Sequence, residues 1–147
     1  ALDAVSENSK FFGDNSESLL LAAGLNEIQT LGMAMGATHP ETFTSISGVG
    51  DLDVTCKSKF GRNRKFGHEM INTDILSGFS NLDDLIDNIG KVGYLPEGVV
   101  ACKYVHELAE KKGIKLPLCT GLYRILNHEI KVIDFLDEFL NSGKNGM

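Results

Sequence analysis

Five cations stand in the nine positions from Lys57 to Lys65: Lys57, Lys59, Arg62, Arg64 and Lys65, with no acid among them. A segment of this kind can hold a small anion. Arginine suits phosphate best, because its planar fork bonds two oxygens at once. The 147-residue chain carries 14 Lys and Arg against 20 Asp and Glu, a net charge of −6, so this +5 segment leaves −11 on the rest. A concentrated positive site on an acidic body attracts a small anion without attracting polyanions wholesale. The acidic balance argues against nucleic acid as a partner, since a nucleic-acid footprint is basic. The competing reading of the segment is a solvated charge run at a helix start.

Asp51 and Thr55 lie just upstream, four residues apart. On a helix they share a face. An acid and a hydroxyl beside a cationic stretch suit a polyol phosphate: Asp51 accepts hydroxyl protons, and Arg62 and Asn63 hold the anion. The alternative is that Asp51 caps a helix beginning after Gly50, a place where aspartate is common. Composition alone does not separate the two. Gly48-Val49-Gly50 falls short of a dinucleotide fingerprint, because Asp53 fills the third glycine position and no strand precedes it. His106 and Glu107 form half of a zinc-helix motif, but Glu110 stands where the second histidine belongs. His39, His68, His106 and His128 are too scattered for a metal site, and most read as helical surface histidines. Cys56 beside Lys57 is expected to be a buried, inert thiol, the usual state of a free cysteine.

The elements that must position these residues are all helical, because no segment sustains a period-2 alternation. Asp14 with Glu17 resembles a capping box and opens a helix over 15–35. Its apolar residues cover more than one face, so it is expected to be central and buried on most sides. Gly24 and Gly32 lie near one face of it, where a close helix neighbour can offset their cost. Gly36 stops it. Pro40 opens a short helix to Ile46, and Gly48-Val49-Gly50 reads as a sharp turn. Ser80 with Asp83 caps a helix that stops at Gly90. Pro96-Glu97 opens a helix to about Lys112, closed by Gly113. Pro117 starts the next, through Leu126, and the last carries Val132 to Leu140 and ends at Ser142-Gly143, before a loose tail.

A chain of this size is one domain, with 42% apolar residues available for a core. Three cysteines without a CxxC form no disulfide framework and suit a reducing compartment. The polar start, Ala1 to Lys10, does not read as a signal peptide. The most apolar stretch, Leu19 to Leu25, is too short to cross a membrane. The expectation is a cytoplasmic domain without membrane insertion.

An ordered series of motifs makes the reading specific: Gly13-Asp14-Asn15, Gly24-Leu25-Asn26-Glu27-Ile28, Leu31-Gly32, Gly36-Ala37, Thr42-Phe43, Gly48-Val49-Gly50-Asp51-Leu52, Thr55-Cys56 and Arg62-Asn63-Arg64-Lys65-Phe66-Gly67. Pro96-Glu97-Gly98 and Leu116-Pro117-Leu118 continue it. The series resembles the C-terminal domain of bacterial-type NAD(P)-dependent glycerol-3-phosphate dehydrogenases. The resemblance implies an all-α multi-helix bundle like the 6-phosphogluconate dehydrogenase C-terminal fold. It also implies interconversion of dihydroxyacetone phosphate and sn-glycerol 3-phosphate. NAD or NADP would be bound mainly by an N-terminal Rossmann domain outside residues 1–147, and the family's catalytic lysine would lie upstream of Ala1. Carried over by position, Asp51 resembles the aspartate at the substrate hydroxyls and Thr55 a polar support. Arg62 and Asn63 resemble the pair at the substrate phosphate. Arg62 also reaches the cofactor, with Leu95 and Glu97. Gly61 falls in the substrate site where bacterial members often have a serine, and Ala23 replaces an arginine common before Gly24. Glycine-containing helix faces allow a homodimer. The alternatives are a helical domain from another hydroxy- or keto-acid dehydrogenase and a non-enzymatic interaction module.

Overall fold

A computed structural model describes residues 14–142, in which all regular structure is helical. The elements are α1 (Asp14–Ala34), α2 (Glu41–Thr44), α3 (Ile46–Lys57), α4 (Arg62–Asn72), α5 (Leu82–Asp87), α6 (Glu97–Lys112), α7 (Pro117–Leu126) and α8 (Val132–Ser142), with one-turn 3₁₀ segments at Ile75–Gly78 and Ile89–Val92. The tail from Lys144 and the stretch before Asp14 lie outside the described residues. The described helices contain no span long and apolar enough to cross a membrane.

Helices α4 to α7 enclose the core. Phe66, Leu76, Phe79, Leu82, Leu85, Val99, Cys102, Ile125 and Leu126 are buried against one another. Helix α8 closes one side, where the Phe135 ring fills the space that a side chain at Gly121 would need. Helices α1 to α3 form a separate layer. The ring of Phe43 sits on Gly32, and Leu52 lies 3.9 Å from where a Cβ on Gly24 would stand. The glycine face of α1 therefore receives α2 and α3. Leu20 of α1 packs with Leu136 and Ile71, and so ties the layer to the bundle.

Helix ends follow local chemistry. Gly36 and Gly113 have positive φ, 103° and 65°, and each closes a Schellman motif, with Ala37 N–H on the Gly32 carbonyl and Ile114 N–H on that of Ala109. His128 takes the same position after α7 at φ 60°, and its Nε2 lies 3.0 Å from the Phe79 carbonyl oxygen.

Four expectations need correcting. Helix α1 is not buried on most sides: Leu19, Ile28 and Met33 are exposed, and among the described residues α2, α3 and one edge of the bundle cover it. Gly48 and Gly50 make no turn. They lie inside α3, which is capped at Ser45, whose Oγ accepts the Gly48 N–H at 3.4 Å. A Cβ at Gly48 would meet the Phe43 carbonyl at 2.3 Å, so glycine here serves a close approach to the end of α2. The cap of α5 is Asn81, not Ser80: its Oδ1 accepts the Asp84 N–H at 2.9 Å, while the Asp84 carboxylate accepts the Ser80 N–H at 2.8 Å. The chain then continues past Gly90 as a 3₁₀ turn that ends at Gly93, φ 82°. Finally, Cys56 is exposed rather than buried, whereas Cys102 is buried.

Candidate functional site

Arg62 and Asn63 are the first two residues of α4, and Glu97 and Gly98 are the first two of α6. The two helix starts meet. The Arg62 guanidinium donates to the Glu97 carboxylate. The Gly98 N–H donates to Asn63 Oδ1 at 2.8 Å. A Cβ on Gly98 would stand 3.1 Å from that oxygen, which explains a glycine after Glu97. With Oδ1 engaged, the part of Asn63 that remains for an anion is its NH₂ group, a pure donor.

Neither helix is capped by its own N-cap residue: Gly61 and Pro96 hold those positions and have no side-chain acceptor. In α6 the Gly98 N–H is taken by Asn63 and that of Val99 by the Pro96 carbonyl, so it is the first turn of α4 that keeps N–H donors and a positive dipole end for an outside acceptor. That end, an arginine and an amide are donors of the kind a small anion needs. Leu95, half-exposed, lies two residues before Glu97 on the same rim. The rim is fixed through Tyr94. Its hydroxyl donates to Glu69 of α4, and Lys65 Nζ stands 4.1 Å above its ring. Burial and then the Glu69 carboxylate push the Tyr94 hydroxyl well above its ordinary range.

Asp51 and Thr55 occupy successive turns of α3 and are both exposed. The cap at Ser45 removes the reading of Asp51 as a helix cap, since Asp51 lies more than a turn inside the helix. No bond joins Asp51 or Thr55 directly to Arg62 or Asn63 among the described contacts. The link is the turn from Ser58 to Gly61, where Gly61 N–H donates to the Ser58 carbonyl at 3.1 Å. A Cβ at Gly61 would lie 3.2 Å from that carbonyl oxygen, so the turn packs tightly at glycine.

The cationic stretch is less bare than its sequence. Lys57 pairs with Asp53 at 2.7 Å, Lys65 with Glu69 at 3.7 Å and Arg62 with Glu97. The Asp53 hydrogen bond raises the Lys57 pKa. These acids lie one helical turn away or on α6, outside the segment itself. The other titratable suspects go elsewhere. His106 stacks on Tyr123 at 3.9 Å, and no cluster of three metal-ligating side chains occurs among the described residues. Sequence reasoning gave no role to Gly98, Tyr94 or Glu69. Only the Pro96-Glu97-Gly98 motif signalled part of this group.

The chain is similar to known proteins along most of its length. Residues 4–137 match the family described as NAD-dependent glycerol-3-phosphate dehydrogenase C-terminus. A glycerol-3-phosphate dehydrogenase [NAD(P)+] of Treponema denticola is 70% identical over 95% of this chain and 39% of its own length. That of Geobacillus thermodenitrificans is 38% identical over 90% of the chain and 36% of its own length. The crystal structure of glycerol-3-phosphate dehydrogenase from Coxiella burnetii superposes with a TM-score of 0.73 at 29% identity, over 95% of this chain and 39% of that one. The chain thus spans about two fifths of the length of these relatives, and it belongs to the NAD-dependent glycerol-3-phosphate dehydrogenase C-terminal family.

Proposed function

We propose that this chain is the substrate-binding half of an oxidoreductase that interconverts dihydroxyacetone phosphate and sn-glycerol 3-phosphate with NAD(P)H. The observation that carries the reading is the meeting of the α4 and α6 starts around Arg62, Asn63 and Glu97, in a chain of this family. Arg62 and the Asn63 NH₂ group bind the phosphate, helped by the open first turn of α4. Gly61 lets the backbone approach without a side chain. Asp51 accepts from the substrate hydroxyls, and Thr55 supports it. Binding the non-reacting phosphate holds the far end of the substrate and so orients the carbonyl.

Leu95 and Glu97 fit the border of a nicotinamide: an apolar face beside a carboxylate that accepts from a carboxamide. No phosphate-cradling glycine motif accompanies them, so the dinucleotide's main site belongs to an N-terminal Rossmann domain beyond residues 1–147. When bound, the nicotinamide supplies the hydride chemistry. Glu97 keeps the Arg62 fork oriented between substrate and cofactor. The same reading assigns the family's catalytic lysine to the upstream segment, gives the enzyme a cytoplasmic setting, and leaves the exposed face of α1–α3 to the cofactor domain or to a second copy in a homodimer.

The test uses the full-length protein, assayed with dihydroxyacetone phosphate and with ketopantoate. Turnover of the first and not the second is expected. Arg62→Lys should raise the KM for dihydroxyacetone phosphate about tenfold or more, because a charge-assisted bond contributes roughly 1.5–3 kcal/mol and lysine lacks the fork. An unchanged KM removes Arg62 from the phosphate site.

A further inference from the structure

Among the described residues of the α1–α3 layer, Glu27 is the buried one, and it is ionisable. Its carboxylate accepts two backbone donors at the start of α7, the N–H groups of Leu118 and, at 3.0 Å, Cys119. Helix α7 begins without a side-chain cap of its own, at Leu116 and Pro117. A side chain from α1, 91 residues away in sequence from Leu118, thus does what an N-cap does. Leu20 lies seven residues before Glu27 on the same face of α1, packed with Leu136. The docking of the layer on the bundle thus includes an apolar contact and an ionisable one.

The ionisable contact is costly. Burial raises the Glu27 pKa in spite of both backbone bonds, so its charge is held there at a loss. A group retained at a loss to stability serves something else, and the layer carries one thing of consequence. Helix α3, with Asp51 and Thr55, lies on α1 through Leu52 and Gly24. Arg62 and Asn63 lie on the bundle. Among the described residues, the turn from Ser58 to Gly61 and the docking of α1 join one pair to the other.

We propose that Glu27 is a positioning residue: by clasping the start of α7 it sets where α3 carries Asp51 and Thr55 relative to Arg62 and Asn63. The proposal rests on the reading given above, in which those two pairs hold opposite ends of one substrate.

The experiment compares wild-type full-length protein with Glu27→Gln. Misplacement of a catalytic group by about 1 Å can cost about a hundredfold, so a fall in kcat for dihydroxyacetone phosphate of about tenfold or more is expected. Inorganic phosphate, as a competitive inhibitor, should keep its inhibition constant within about twofold, since it reports Arg62 and Asn63 on the bundle. Hydrogen exchange should quicken across α1 to α3 and at the clasped Leu118 and Cys119 amides and stay unchanged across α4 to α6, and the denaturation midpoint should not fall. Glu27→Asp, with the charge kept one methylene short, should lie between, and it carries the test if the glutamine variant does not fold. An unchanged kcat, or a lower midpoint with unchanged kcat per folded molecule, overturns the proposal in favour of a purely structural cap. Unchanged exchange in α1 to α3 overturns the clasp. Phosphate inhibition weakened together with kcat also overturns it, since the disturbance has then spread to the bundle. If the wild-type protein does not reduce dihydroxyacetone phosphate, the functional reading falls and the positioning role with it, while the exchange comparison still decides the clasp.

Discussion

Two regions of the molecule solve the same problem in different ways. In the bundle, Leu82, Leu85 and Leu126 are at most 1% exposed, and the helices hold one another by apolar packing. In the α1–α3 layer, Ile46 is 94% exposed, Val54 67% and Met35 64%, and the one buried residue among those described is Glu27. The bundle is stabilised by its own core, whereas the layer is held through a glycine face, a leucine and a clasped carboxylate. The proposed site lies across the boundary, with its anion end on the bundle and its hydroxyl end on the layer. A rigid anchor paired with a lightly docked arm suits a substrate that must be held at one end and adjusted at the other.

The largest test of this contrast is truncation of the core. Leu85→Ala should destabilise the protein by about 2–5 kcal/mol, the cost of a cavity in a well-packed interior. Ile46→Ala in the layer should stay within about 0.5 kcal/mol, as for an ordinary surface change. Denaturant midpoints for both variants check it, and comparable losses would erase the distinction. Overpacking gives a second, smaller contrast. A Cβ at Gly121 would stand 2.0 Å from the Phe135 ring, within the bundle. Gly121→Ala should therefore cost about 1–3 kcal/mol. At Gly50 nothing lies within 4 Å, so Gly50→Ala has room and relieves the helix of a glycine. Opposite signs are expected in thermal unfolding.

The two regions should also respond to acid in opposite directions. Asp84, in the cap of α5, is held below its ordinary value of 3.8, chiefly by the Ser80 backbone N–H. Its contribution is present above about that pH and is lost as pH falls through the lower folded value. Glu27 is raised above 4.5 by burial. Its protonation favours the folded form, so that gain is complete below 4.5 and is lost as pH rises through the raised value. Stability measured against pH in wild type and Glu27→Gln should differ most above pH 4.5, with the variant flatter. Identical curves would mean that Glu27 is not desolvated.

How much of this was legible in the sequence follows from the range of the forces involved. Pro96 and Gly113 mark both ends of α6 because a missing N–H and a positive φ act on their own residue. Gly48 and Gly50 misled for the same reason. A glycine pair reads as a turn, and the contact with the Phe43 carbonyl that requires Gly48 is set by packing. Arg62 and Asn63 stood out by type, but their partners Glu97 and Gly98 lie 35 residues away, where no spacing rule reaches. The +5 segment was correctly counted, yet Asp53, Glu69 and Glu97 are brought to it by helix geometry. Glu27 appeared only inside the Gly24-to-Ile28 motif, with nothing to mark its partners, since a glutamate amid an apolar helix looks like a solvent-facing charge until its burial is seen.

The finest test sets two caps side by side. Asn81 caps α5 in the bundle with a 2.9 Å bond to the Asp84 N–H, next to fully buried Leu82 and Leu85. Ser45 caps α3 in the layer at 3.4 Å, in a helix that buries no residue. Deleting a cap costs about 1 kcal/mol when the helix it starts is part of the cooperative fold. Asn81→Ala should therefore lower the denaturation midpoint by about that amount. Ser45→Ala frays a helix that the global transition hardly senses, so its midpoint should shift by no more than a few tenths of a kcal/mol. Its effect should appear instead as faster hydrogen exchange at the start of α3. Equal shifts of the midpoint would show that layer and bundle unfold as one unit, and that the arm bearing Asp51 is as firmly held as the anchor bearing Arg62.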